Sequence, residues 1–210
     1  MEAAEMQKFI SPSSSHLTHS KQTGVTLIEV LVSVMLMSFA LLGMAALQAH
    51  SMALQTSATT RGNVAVLIAD ISDRMRSNLS ESPGYDTTIA TPTFTINANY
   101  ASQATPPTTP STNCMTTACN ASARATYDLA AWRIKVRNEL PQGSALITGG
   151  QQTGINVTIM WFDKEFRSGE ALRQTLECTA AMTGGATQTC CPAAAEAPAG
   201  VRCHNTTLLP

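Results

Sequence analysis

The chain has 210 residues and a formal net charge of −1, and only 13% of its residues are charged, about half the share of an ordinary soluble domain. A balance this close to zero gives no basis for nucleic-acid binding, which needs a basic face. Low charge with 44% hydrophobic residues argues against a disordered chain. The length fits one domain, with or without an appendage. Six cysteines read as disulfides outside the cytosol and as metal or redox groups inside it, so the compartment has to be settled first.

Between Lys21 and Arg61 the only Asp, Glu, Lys or Arg is Glu29. Val25 to Leu47 is 23 residues, of which 19 are apolar or glycine. As a helix this run reaches about 35 Å, enough for a hydrocarbon core of about 30 Å. A secretory signal has a shorter apolar core and an A-x-A-like site after it; Ala45-Ala46 is the weaker alternative cleavage point. Lys21-Gln22-Thr23-Gly24 instead places the punctuation before the run. An intramembrane carboxylate is costly unless paired. A cut after Gly24 supplies a partner, because Val25 then carries a free α-ammonium near the depth of Glu29 in a neighbouring copy. Lys21, with no Lys or Arg on the other side until Arg61, orients the helix N-terminus inward.

No proline occurs from Ser13 to Ser82. Leu54, Val64, Ile68, Ile71 and Met75 form an apolar stripe of helical period. Arg74 and Arg76 complement the helix dipole, and Ser82-Pro83-Gly84 is the stop signal. The pattern predicts one helix from about Val25 to Asn78, about 80 Å long, with Met35, Met37, Met44 and Met52 as lipid-facing filler. Thr87 to Ala123 has no charge and eleven threonines, a surface loop with polyproline character and a short strand expected around Phe94 and Ile96. Leu129, Trp132, Val136 and Leu140 predict an amphipathic helix ended by Pro141. A strand is expected over Ala145–Thr148. Ile155, Val157, Ile159 and Trp161 alternate with polar or outward positions to give a strong strand. Leu172, Gln174 and Leu176 alternate next and are expected to form its antiparallel partner.

Gly24-Val25-Thr26-Leu27-Ile28-Glu29-Val30-Leu31-Val32 resembles the class III leader and first helix turns of type IV pilins, with Val25 standing where Phe or Met is usual. Leu41-Leu42-Gly43-Met44-Ala45-Ala46-Leu47-Gln48 resembles the end of the span in the PilV family of minor pilins, the type IV pilus modification proteins. The pattern Asp128-Leu129, Trp132-Arg133, Leu140-Pro141, Gly143, then Val157, Ile159, Trp161 and Asp163 resembles the head of the same family. The fold implied is α+β and pilin-like: a long N-terminal helix, transmembrane in its first half, packed on a small antiparallel β-sheet head. The implied divisions are a prepilin leader over 1–24, whose start is Met1 or Met6, and a transmembrane assembly helix over 25–50. An amphipathic continuation covers 51–80 and a Thr/Pro-rich loop region 81–126. The helix and sheet of the head occupy 127–178, and a cysteine-containing tail 179–210.

The resemblance implies cleavage between Gly24 and Val25 by a prepilin peptidase, N-methylation of Val25 and an assembly role for Glu29. Implied partners are other major and minor pilins and an inner-membrane assembly platform. The implied setting is the bacterial inner membrane, single-pass with a cytoplasmic N-terminus and periplasmic head, then the pilus at the cell surface. The implied roles are pilus biogenesis, twitching motility and adhesion. The alternatives are a minor pseudopilin of type II secretion and a membrane-anchored binding domain that never polymerises. No nucleophile elbow, phosphate loop or dinucleotide fingerprint points to an enzyme, and no cofactor or metal is expected. The spacing of Cys114, Cys119, Cys178, Cys190, Cys191 and Cys203 matches no common zinc module, so disulfides are expected. Local closure pairs Cys114 with Cys119. Cys178 then pairs with one of Cys190 and Cys191, and Cys203 with the other. Trp132 and Trp161 are expected in the core.

Overall fold

The computed structural model describes residues 24–79, 94–150 and 153–209. It divides into two compact units, Met1–Gln48 and Ala49–Pro210. Helix α1 spans Leu27–Ser77, within two residues of the expected ends at Val25 and Asn78. The stop signal at Ser82-Pro83-Gly84 lies outside the described residues. In the first unit, every described side chain from Gly24 to Gln48 is exposed. α1 is the one helix among the described residues long and apolar enough to cross a membrane.

The second unit is an α+β head. Helix α2 (Ala121–Glu139) is followed by strands β1 (Ser144–Gly150) and β2 (Gly154–Phe162). The short hairpin β3 (Arg167–Ser168) and β4 (Ala171–Leu172) comes next. Helix α3 (Gly185–Thr189) and strand β5 (Val201–Leu208) complete the unit. β1, β2 and β5 form one antiparallel sheet with β2 in the centre. The expected short strand near Phe94 is a single bridge, Ile96 to Ile147.

The sheet has two apolar faces, where alternation predicts one. Ile155, Val157, Ile159 and Trp161 of β2 pack with Val64, Leu67, Ile71 and Met75 of α1 and with Trp132 and Val136 of α2. Trp132 is fully buried, and its indole Nε1 donates to the Leu67 carbonyl at 2.8 Å. That bond removes the cost of burying an indole N–H unpaired. The opposite face carries a second cluster of Leu146, Met160, Cys191, Ala195, Val201 and Cys203. Met160 is therefore buried, although its place in the alternation puts it on the outward side of the strand.

Two expectations are corrected here. The antiparallel partner of β2 on this side is β5, not the segment through Leu172, Gln174 and Leu176. Leu176 is 59% exposed, and only Ala171–Leu172 is strand, paired with β3. The α1 stripe also differs: Leu54 is 61% exposed, whereas Leu67, outside the expected set, is 1% exposed. The stripe that meets the head is Val64, Leu67, Ile71 and Met75, one side chain per turn or nearly so.

Local devices fix these elements. Asn120 caps α2, its side chain accepting from the Ala123 N–H at 2.8 Å. α2 consequently starts six residues before Tyr127, where the helix and sheet of the head are expected to begin. Such a cap satisfies one of the N–H groups left orphaned at a helix start. Gln103, 5% exposed, acts as a backbone surrogate at the outer edge of β1. Its Nε2 donates to the Ala145 carbonyl at 2.9 Å and its Oε1 accepts from the Ala145 N–H at 3.3 Å. Gly200, at φ +85°, turns the chain into β5. A Cβ there would sit 2.7 Å from the Phe162 ring, so the position demands glycine on two counts.

Candidate assembly segment and the disulfide-bonded head

Gly24, Val25 and Glu29 lie within six residues of one another at the start of the first unit. Gly24 to Thr26 carry no regular structure, and α1 begins at Leu27. The N–H groups of Glu29 and Val30 donate to the Thr26 carbonyl at 3.0 and 3.3 Å. Glu29 thus occupies the first turn, where a negative charge meets the positive end of the helix dipole. Its carboxylate takes part in no ion pair among the described residues. Nothing lies within 4 Å of a Cβ built on Gly24, so the fold itself does not demand glycine there. The hydroxyls of Ser33 and Ser38 donate to the carbonyls of Glu29 and Val34, each at 2.7 Å. The Ser33 and Ser38 hydroxyls are thus satisfied within the helix, and Glu29 is the one charged side chain of the apolar run.

The six cysteines all lie in the second unit and form three disulfides: Cys114–Cys119, Cys178–Cys190 and Cys191–Cys203. The adjacent Cys190 and Cys191 take separate partners. Cys114–Cys119 closes the turn leading into the α2 cap. Cys191–Cys203 is buried within the second apolar cluster and joins the chain before Pro192 to the middle of β5. Closing such a loop stabilises a small domain by about 2–4 kcal/mol. Among the described residues no group of three or more His, Cys, Asp or Glu is placed to hold a metal.

An ion network that the periodicity of the sequence does not disclose ties α1 to α2. Arg74 donates from Nε to Asp70 at 2.8 Å and from a terminal nitrogen to Asp128 at 2.7 Å. Lys135 reaches the other Asp70 oxygen at 3.1 Å. Burial pushes the Asp70 carboxyl up, but the hydrogen bonds and charges of Arg74 and Lys135 outweigh it and hold the group below its ordinary value. Asp128, 8% exposed, sits on the inner side of α2 between Ala125 and Trp132. The signal in the sequence is a carboxylate one turn ahead of Trp132.

Residues 19–45 match the family model for the prokaryotic N-terminal methylation motif. No curated protein and no solved structure matches the chain. The motif supports a type IV pilin-like protein, structural rather than enzymatic, processed by a prepilin peptidase and associated with other pilins. Together with the exposed apolar helix it supports attachment to a membrane.

Proposed function

We propose that the chain is a minor pilin of the PilV kind, inserted in the bacterial inner membrane and assembled into, or initiating, a type IV pilus. A prepilin peptidase cuts after Gly24, Val25 becomes the methylated N-terminus, and the head lies in the periplasm. The assembly platform then moves the subunit into a filament with major and minor pilins, serving pilus biogenesis and twitching motility. The observation that carries this reading is the methylation motif over residues 19–45, continuous with an apolar first half of α1 whose one carboxylate is Glu29. The freed α-amino group of Val25 offsets that carboxylate when two subunits lie side by side, which makes neutralisation conditional on assembly. Pseudopilins of type II secretion share the motif; the likeness of Leu41–Gln48 and of the Asp128–Asp163 pattern to PilV favours the pilus.

The test is mass spectrometry of the chain isolated from sheared surface filaments. The expected N-terminus is N-methyl-Val25. A mature chain starting at Ala46 or beyond would identify an ordinary secretory signal and end the proposal. Absence from sheared pili, with presence in a secretion complex, would assign the chain to the secretion machine instead.

A further inference from the structure

The sheet face that carries the second apolar cluster changes character along its length. Cross-strand register sets Thr148, Asn156 and Thr207 in one row over β1, β2 and β5, and Leu146, Thr158 and Asn205 in the next. The apolar cluster takes in Leu146 at the β1 end of the second row and covers the sheet from Met160 and Cys203 onward. The polar residues of these rows, without Leu146, are the floor of an open cleft of about 610 Å³, walled by Cys178, by Thr187 and Gln188 of α3 and by Pro192. That volume falls within the range of about 300–1,000 Å³ typical of small-molecule sites. None of the lining side chains ionises.

The floor is preorganised by its own hydrogen bonds. Thr158 donates to Asn205 Oδ1 at 2.7 Å, and Asn205 Nδ2 donates to the carbonyls of Thr187 and Cys190 at 2.9 and 2.7 Å. Thr207 donates to Asn156 Oδ1 at 2.8 Å, which fixes the Asn156 amide with both Nδ2 protons uncommitted among the described residues. The Thr148 hydroxyl and the Gln188 amide also make no hydrogen bond among the described residues, while the Thr158 and Thr207 oxygens keep acceptor capacity. The free capacity is thus a set of neutral donors and acceptors side by side on a rigid sheet. Hydroxyl groups, each both donor and acceptor, match such a set. A phosphate or carboxylate ligand finds no countercharge. A peptide finds no large apolar pocket for its side chains, since the apolar lining is the Pro192 ring, the disulfide-bonded Cys178 and threonine methyls.

We propose that this cleft is a binding site for a neutral oligosaccharide, with the Asn156 amide, the Gln188 amide and the Thr148 hydroxyl as its ligand-directed groups. No aromatic ring lines the cleft, so affinity per site is low. The inference does not depend on filament membership.

The experiment applies the full-length chain in detergent micelles to a printed array of neutral, sialylated and sulfated oligosaccharides, alongside the double variant Asn156→Asp/Gln188→Ala. Asn156→Asp keeps the acceptor for Thr207 while removing two donors and adding a charge. The expected result is retention of neutral glycans by the native chain and a loss of about tenfold in the double variant, the equivalent of one or two hydrogen bonds. Thermal unfolding should be unchanged. Should the double variant unfold early, Gln188→Ala alone carries the comparison, because that side chain is exposed. Binding to acidic glycans only, binding to none, or neutral binding unaffected by the substitutions overturns the assignment.

Discussion

Between Leu27 and Gln48, helix α1 exposes every side chain; between Val64 and Met75, it buries Val64, Leu67, Ile71 and Met75. Both segments belong to one helix, yet their sequences solve different problems. The second is amphipathic and places one apolar side chain per turn against a core. The first is apolar all round, so no single face is marked for a partner, and its exposed Leu, Val, Met and Phe side chains require an apolar surrounding on every side. A membrane supplies that surrounding, and so does a bundle of like helices. The two segments therefore depend on different things: the second on its own head, the first on lipid or other subunits.

The largest effect that sharpens this contrast is expected at Trp132, which fills the core and hydrogen-bonds the Leu67 carbonyl of the second segment. Trp132→Ala should destabilise the head by about 3–5 kcal/mol, through the cavity it leaves. Phe39→Ala, at a side chain 60% exposed in the first segment, should leave the unfolding midpoint of the head where it is. Equal losses in chemical denaturation would show that the two segments are not energetically separate.

The next effect concerns the strand that completes the sheet. Replacing Cys191 and Cys203 together by serine should lower stability by about 2–4 kcal/mol and loosen β5 first. Amide exchange at Cys203–Leu208 should then rise before exchange at Leu67 or Ile71. Simultaneous exchange throughout would mean that β5 and the second segment of α1 unfold as one unit.

A smaller effect is set by pH. The Asp70 carboxyl lies below its ordinary value in the folded head, so folding favours its ionised form. The stability it contributes is present above the unfolded carboxylate value of about 3.9 and is lost as pH falls through the folded value. Asp70→Asn should flatten stability against pH below about pH 4 and lower it at neutral pH. A variant with the native acid limb would show that Arg74 and Lys135 do not act through Asp70.

These contrasts also explain what the sequence discloses. The apolar run, the stripe and Trp132 are legible because burial on one face, or on none, leaves a periodic trace over many residues. β5 is not: Arg202-Cys203-His204-Asn205-Thr206-Thr207 has little apolar alternation, and Cys191–Cys203 and pairing with β2 hold it in place. Leu172-Gln174-Leu176 imitates a strand because short alternation costs nothing in an exposed segment. Met160 reads as outward only while the covering residues, distant in sequence, are unknown. The proposed assembly residues Gly24, Val25 and Glu29 are singled out by local spacing alone, inside the methylation motif over residues 19–45. The polar cleft is not, since Asn156 and Asn205 come together only through register.

The central claim is that Glu29 is tolerated in the first segment because assembly neutralises it. Glu29→Leu removes a costly group from the apolar run, so insertion into the membrane should be intact or improved, and cleavage after Gly24 should persist. Incorporation should fail. The decisive measurement is the ratio of the chain in sheared pili to the chain in membranes, compared between native protein and Glu29→Leu. Mature Glu29→Leu protein should be held in the membrane fraction and lost from pili; the native ratio in the variant would contradict a role for Glu29 in assembly.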